Sequence, residues 1–230
     1  LFYIAALSEC FEICQILIDF HPVDIELLSF YYFELSTLND NIFNMIFNNC
    51  KIYEKQLLLS IFLYPAIYNH NINLVEFLLK ENAPYNDSLF IAVDVHDHEI
   101  VNLILRYHKE SSFINKRKSG NTALSNAVKN NDISIVKQLL SIPDINLSLS
   151  EYNDNNPLVI AIQNLNIEIC KLILNFSCDN DDFQLKKYNF LKNHLLNFIN
   201  LNNKENDLRM FIINDLILTD IGIKYNFYPE

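Results

Sequence analysis

The amino-acid sequence predicts an all-α solenoid of about six to seven stacked helix pairs, with few and unequal β-hairpin loops between them. One observation is a recurring phrase, in which a small residue precedes apolar residues eight, nine, twelve and thirteen positions later. A second is that this spacing has the period of an α-helix, so each copy ends in an amphipathic helix. A third is that 50% of the residues are apolar and 20% are charged, which is typical of a packed chain.

The small residue that opens each copy is called the anchor, and other positions are counted from it. A sixth copy has Glu34 at this position, and a weaker seventh centres on Asn200. A large apolar residue stands three positions before each of the first six anchors, which places the anchor on a short helix of its own. Each copy is therefore predicted to be a helix pair, and small anchors let neighbouring pairs pack closely. The other five anchors are Ala5, Ala66, Ala92, Ala127 and Ala161.

The residue at position +4 is predicted to form a tight turn between the two helices of a pair. It is His70, His96 and Asn131 in three of the copies. A turn of this kind favours Gly, and after Gly it favours Asn, Asp or His, because these residues best tolerate positive φ. Since the chain has only two Gly, we expect Asn131 to have positive φ.

The clearest copy of the phrase lies between Gly120 and Ala127 and reads G-N-T-A-L-S-N-A. It resembles the G-x-T-P-L-H-x-A opening of the ankyrin repeat family, with Ala for Pro and Ser for His. The following copy keeps Pro157 but has Asn156 where Thr is expected. In the family, Thr starts the first helix by capping it, which either Thr or Asn can do. The resemblance implies an ankyrin-type solenoid.

Anchor spacing predicts the lengths of the hairpin loops, which are called fingers. The shortest spacing between Ala anchors is 26 residues, so a finger at 81–87 should be nearly absent. Spacings of 34 and 35 residues leave room for fingers at 109–119 and 142–155. We expect the ankyrin solenoid to span residues 1–178, and residues 179–230 to form a degenerate last repeat or a helical C-terminal cap.

The formal net charge of −11 disfavours phosphate backbones and anionic membranes as partners, and it favours basic or polar ones. No apolar run approaches the length that a membrane span requires. A local exception is Lys116, Arg117 and Lys118 at a predicted finger tip. These three side chains are either a solvated loop or a contact with a partner.

The five cysteines lack the regular spacing of a disulfide framework, and their odd number favours a reducing compartment, which we expect to be the cytoplasm. Cys14 and Cys170 occupy the same apolar position in two copies, which is typical of small buried hydrophobic residues. Cys10 lies one helical turn before Cys14, but no adjacent His pair completes a metal site. The chain begins at Leu1 rather than Met, so we expect a fragment of a longer protein.

The segment 94–99 combines two His with three acidic residues and could bind a divalent cation if it were extended. However, His96 and Asp97 occupy the turn positions where His70 and Asn71 also stand, which favours a role in the turn. The sequence contains no phosphate loop, no dinucleotide-binding glycine pattern, no nucleophile elbow and no H-E-x-x-H motif. We therefore expect no enzyme activity, no cofactor and no metal.

Proteins of the ankyrin family hold partners along the concave face formed by first helices and finger tips. The resemblance implies that this chain is a monomeric, non-catalytic scaffold with a protein partner. One alternative is the substrate-recognition segment of a larger enzyme or ligase adaptor, whose catalytic part lies outside this chain. Another is a structural spacer with a featureless polar concave face.

Carried over copy by copy, the resemblance places candidate contacts at exposed positions of the first helices and the fingers. The alternative for each residue is that it faces solvent and contacts no partner. Tyr152 is the strongest individual candidate because an aromatic finger tip offers contact area at a low entropic cost. The first-helix candidates are Ser125, Asn126, Lys129, Ile160 and Gln163, and the finger candidates are Lys116, Arg117, Lys118, Glu151, Tyr152 and Asp154.

Overall fold

In the structure, a computed structural model, the described residues form helices joined by turns and short loops, and they form no β-sheet. They belong to two compact units, which divide between Lys109 and Glu110. The predicted all-α ankyrin-type repeat fold is confirmed. The described residues are 1–21, 24, 40–147, 156–164 and 166–176.

The N-terminal unit is built from helix pairs, as predicted. Its described helices are α1 (Phe2–Leu7), α2 (Phe11–Phe20), α3 (Asp40–Asn49), α4 (Ile52–Tyr68), α5 (Ile72–Lys80), α6 (Ser88–Asp94) and α7 (His98–Tyr107). The pairs are α1 with α2, α4 with α5, and α6 with α7, while α3 is the second helix of the Glu34 copy. First helices pack on first helices, as α4 does on α6, and second helices on second helices, as α5 does on α7.

The C-terminal unit repeats this arrangement. Its described helices are α8 (Ser111–Ile114), α9 (Ala123–Lys129), α10 (Ile133–Leu140), α11 (Pro157–Gln163) and α12 (Ile167–Asn175). Helix α9 pairs with α10 and α11 with α12, while α9 packs on α11 and α10 on α12. The predicted cap at residues 179–230 lies outside the described residues, as do Glu34 and Asn200.

Small anchors and large apolar residues together form the core. The anchors Ala66, Ala92, Ala127 and Ala161 are completely buried. The apolar residues three positions before them are buried as well, and these four anchors lie on the first helices of their pairs, as predicted. A cluster of aromatic rings packs α3 against α4 and α5, with centroids 5.2 Å apart for Phe43 and Phe62 and 5.1 Å apart for Phe47 and Phe77.

In four of the pairs the turn is a Schellman motif, in which two backbone bonds close the end of the first helix around a residue with positive φ. The Asn131 N–H donates to the Val128 carbonyl at 3.0 Å, and the Asp132 N–H donates to the Ala127 carbonyl at 3.0 Å. The predicted positive φ of Asn131 is confirmed, at 56°. Position +4 has positive φ in three further copies, at Glu9 (53°), His70 (54°) and His96 (59°).

The residue that follows this turn caps the second helix, which the sequence analysis did not predict. Its side-chain oxygen accepts from the backbone N–H three positions later, for example from Asp132 to Ile135 at 3.0 Å. An Asp or Asn directly before an apolar helical stripe was the available signal. The capping residues are Asn71, Asp97, Asp132 and Asn166.

The structure agrees with one of the predicted fingers and differs from another. As predicted, residues 81–87 form only a compact turn. Within 109–119 the expected extended finger is partly wrong, because Ser111–Ile114 is helical and pairing is confined to an antiparallel bridge between Lys118 and Asn121. The residues described in the other predicted finger, 142–147, contain no strand.

Helix α4 also departs from the prediction of short first helices, since it extends over 17 residues. Only Cys50 and Lys51 separate it from α3, so the residues that could have formed a finger are helical instead. The Glu54 carboxylate accepts a hydrogen bond from the Lys51 N–H at 2.6 Å and caps the start of α4. Buried residues such as Leu58 and Phe62 hold the added turns against the core.

Candidate partner-binding surface

The finger predicted at 109–119, called the basic finger, presents a short basic segment beside a tight turn. The Lys118 and Asn121 backbones exchange two hydrogen bonds, of 2.9 and 3.0 Å, across Ser119 and Gly120. Both central residues have positive φ, 51° and 84°, as the common two-residue hairpin turn requires. Lys118 is exposed, and the Arg117 guanidinium lies 3.5 Å from the Gly120 carbonyl. The tip is therefore at residues 119–120, directly after the basic segment.

The base of this finger is fixed to the next loop by one amide side chain. The Asn115 amide nitrogen donates to the Asp144 carbonyl at 2.8 Å, and its amide oxygen accepts from the Asn146 N–H at 2.8 Å. Asn115 precedes the basic segment directly in the chain. The backbone that presents these cations is thus held in place without a partner, which lowers the ordering cost of binding.

Ser125 is a capping residue rather than an exposed contact. The Thr122 hydroxyl accepts from the Ser125 N–H at 3.2 Å, and the Ser125 hydroxyl accepts from the Thr122 N–H at 2.7 Å. This reciprocal capping box confirms the predicted role of Thr122 at the start of α9. The expectation that Ser125 is exposed is wrong, because the hydroxyl faces the helix start and the residue is only 1% exposed.

The expected exposure of Ile160 is also wrong, since it is 7% exposed at position −1 of α11. This position is buried because α11 packs against α9, and an isoleucine there adds apolar area to the contact. Asn126 occupies the same position of α9 and is half-buried. Position −1 therefore offers less accessible surface than the sequence analysis assumed.

Position +2 is exposed on each of the five first helices in the described part of the chain. In the C-terminal unit it holds the candidates Lys129 and Gln163, which occupy equivalent places on the neighbouring helices α9 and α11. In the N-terminal unit it holds Leu7, Tyr68 and Asp94. Those three were missed, although counting from the anchors would have found them. Position +2 therefore forms an exposed row along the first helices of each unit, called the first-helix row.

Polar side chains link the turns of consecutive copies. The His70 Nδ1–H donates to Asp97 Oδ2 at 2.7 Å, joining position +4 of one copy to position +5 of the next. The corresponding link in the C-terminal unit joins Asn131 Oδ1 to the Asn166 amide at 3.3 Å, and the Asn164 amide also donates to this oxygen at 3.3 Å. The segment 94–99 therefore serves the turn through Asp97. No group of three or more potential metal ligands converges anywhere in the described part of the chain.

The cysteines that the structure describes are free thiols. Cys14 and Cys170 are buried as predicted, and burial raises the pKa of both thiols, that of Cys170 to about 11. Burial also raises the pKa of Cys50 to about 11, with its thiol 3.0 Å from the Ile46 carbonyl oxygen. Protonated thiols are poor nucleophiles and poor metal ligands, so these three side chains act in packing.

Three finger candidates, Glu151, Tyr152 and Asp154, lie outside the described residues and stay predictions. Among the described residues, the accessible candidates are the exposed side chains of Lys118, Lys129 and Gln163, together with half-buried Lys116, Arg117 and Asn126. No helix in the described ranges is both long and apolar enough to span a membrane.

Comparison with known proteins agrees with this geometry. Residues 89–186 match the family model described as ankyrin repeats in three copies. The ankyrin repeat protein FPV014 of Fowlpox virus (strain NVSL) is 33% identical over 120 residues, which are 49% of this chain and 26% of the relative. No solved structure matched the chain. The predicted resemblance to ankyrin repeats is therefore confirmed, and the matched segment covers about a quarter of the relative's length.

Proposed function

We propose that this chain is a non-catalytic scaffold that binds a partner protein through the first-helix row and the basic finger. Ankyrin repeats are generally protein–protein interaction modules. The observation that carries the proposal is the exposure of position +2 in every described copy, beside an anchor that is buried each time. Repeated exposure at one register position provides a shared contact surface on the neighbouring first helices that the structure describes in each unit.

The charges of residues 110–147, the first part of the C-terminal unit, favour an acidic or polar segment as the ligand at this surface. Residues 110–147 contain five basic and three acidic side chains, a formal charge of +2, whereas residues 1–109 contain five basic and fourteen acidic ones, a formal charge of −9. Lys118 and Lys129 are both exposed. Complementary charge would accelerate association and orient the partner, more than it would add affinity.

The experiment is to capture a partner with the immobilised 230-residue chain and then to compare its affinity for defined variants. The variant Lys118→Ser/Lys129→Ser removes the two exposed cations of the proposed surface, and we expect it to bind about tenfold more weakly. The control Lys137→Ser makes the same change on the second helix α10, where Lys137 Nζ lies 2.9 Å from Glu168 Oε1. Equal losses in the variant and the control, or an unchanged affinity in the variant, would contradict the proposed surface.

A second candidate is the recognition segment of a larger enzyme or ligase adaptor. The length of the viral relative favours it, since the matched segment is 26% of that protein and repeats of this kind thus occur within longer chains. In that case the bound partner would be a substrate that the remainder of the protein modifies. Incubating the captured partner with the whole natural protein, and with the 230-residue chain alone, would separate the two candidates by mass spectrometry.

A further inference from the structure

We infer that the outer face of the first helix pair, formed by Ile4, Ile13 and Ile16, is a docking face for one more helix pair of the same repeat type, carried upstream in the same protein. This inference rests on the register of the repeats and is independent of the proposed partner-binding surface. All three side chains are exposed, Ile4 by 63%, Ile13 by 49% and Ile16 by 54%.

The exposure of Ile13 is anomalous for its register position. Ile13 stands at position +8, and the other described residues at that position are at most 2% exposed. They belong to both units, so the difference does not depend on one local arrangement. The residues at position +8 in the later copies are Ile42, Leu74, Ile100, Ile135 and Ile169.

The outer face carries the same kind of apolar side chains as a later helix pair that packs against a preceding pair. Helices α6 and α7 carry Ile91, Ile100 and Leu103 at positions −1, +8 and +11, and all three are buried. Those helices pack against the preceding pair, α6 on α4 and α7 on α5. Helices α1 and α2 present isoleucine at each of these positions, so the same kind of neighbour fits them.

Exposed apolar side chains are common on protein surfaces, and Leu7 shows how such a residue differs from the outer face. Leu7 is 41% exposed at position +2, where Tyr68, Asp94, Lys129 and Gln163 are exposed as well. Its exposure is therefore the normal state of its position. Leu7 and Ile13 have similar exposure, but exposure is normal at the position of Leu7 and abnormal at the position of Ile13. The two residues are therefore a matched pair for mutation.

A helix pair in the same protein suits this face better than a second copy of the chain. The unit that carries the face has a formal charge of −9, so two copies of the chain would repel each other as they approach. An upstream pair needs only a linker of the length found elsewhere in the chain. The viral relative, of which the matched segment is 26%, has room for such additional repeats.

The experiment joins a copy of residues 40–87 directly to Leu1 of the 230-residue chain. Ser88 and Leu1 both stand four residues before an anchor, so the junction recreates the natural spacing of 26 residues between Ala66 and Ala92. We expect amide hydrogen exchange within α2 to become at least about tenfold slower than in the unextended chain, because docking suppresses local opening. Ile13→Asp should abolish the added protection, whereas Leu7→Asp should preserve it.

Two outcomes of that experiment would overturn the inference: no added protection in a helical, monomeric extended chain, or equal damage from Leu7→Asp and Ile13→Asp. Sedimentation of the unextended chain tests the rival occupant, since self-association that Ile13→Asp removes would assign the face to a second copy. The natural reading frame gives an independent check that needs no variant to fold. We expect a further copy of the repeat phrase, with its anchor 26 to 35 residues before Ala5, and its absence would overturn the inference.

Discussion

At the scale of single residues, the turns show how a chain with two Gly accommodates positive φ. Position +4 has φ between 53° and 59° at Glu9, His70, His96 and Asn131. A non-Gly residue in this conformation costs about 1–2 kcal/mol, and Asn and His tolerate it better than most. His70 and Asn131 also use their side chains to reach the next copy. A substitution at this position therefore changes both a backbone preference and, at some sites, a link.

Replacing Glu9 with Gly should stabilise the protein, because it relieves the backbone at an exposed site. We expect a gain of up to about 1 kcal/mol, after the greater entropy of Gly in the unfolded chain is subtracted. Asn131→Gly should give no such gain, since it also removes the links to Asn164 and Asn166. Urea unfolding measures both, and Glu9→Ala is the control that retains the strained backbone. A Glu9→Gly protein less stable than Glu9→Ala would refute this account.

The buried thiols predict a pH dependence. Burial raises the pKa of Cys170 from 9.0 to about 11, so the folded protein binds more protons than the unfolded chain between these values. Stability should therefore be unaffected by this thiol below pH 9 and should fall as the pH rises from about 9 to 11. At pH 8, Cys170 should react with iodoacetamide far more slowly in the folded protein than in urea, as followed by mass spectrometry. Similar rates in both states would show that the thiol is accessible.

At the scale of elements, capping and linking side chains join helices into pairs and pairs into a stack. Asp97 does both, because Oδ1 accepts from the Glu99 and Ile100 N–H groups at the start of α7 while Oδ2 accepts from His70. The link from His70 is weakened by solvent, since that side chain is 58% exposed. The helix cap, which the buried Asp97 side chain forms, should account for the greater part of the contribution of Asp97 to stability.

Replacing Asp97 with Ala should cost about 1–2 kcal/mol through loss of the helix cap. Asp97→Asn should retain more than half of that contribution, because Asn caps the equivalent helix α12 and forms the equivalent link at Asn166. Thermal unfolding of the two variants and of His70→Ala measures the cap and the link separately. Equal losses for Asp97→Asn and Asp97→Ala would mean that the carboxylate charge matters more than the cap.

At the scale of the whole molecule, stability comes from repeated contacts between neighbouring pairs inside each compact unit. The buried anchors set how closely first helices approach. Ala127 is completely buried on α9, which packs against α11, so its methyl group leaves no room for a longer side chain. A change at one anchor should therefore weaken the two copies that meet there.

The variant Ala127→Glu should lose about 3 kcal/mol or more of unfolding free energy, because the longer side chain overpacks this contact and buries a carboxylate. Lys129→Glu introduces the same side chain two residues later, at an exposed position of the same helix. Urea unfolding followed by circular dichroism compares the two. If Ala127→Glu unfolded no more easily than Lys129→Glu, the anchor register would be wrong.

The sequence by itself determined the helix pairs, the tight turn with positive φ at Asn131 and the resemblance to ankyrin repeats. These depend on local rules, since a period of apolar residues sets a helix and a single residue such as Asn131 sets its turn. Only the tertiary structure decided which side chains remain accessible. Ile160 was covered by the packing of α11 on α9, and α4 continued through residues that could have formed a finger. Ser125 differs from Ile160, because the local capping box with Thr122, three residues earlier, turns it inward. The exposure of Ile160 depends on what packs against it, and that packing is set by three-dimensional contacts rather than by the local pattern.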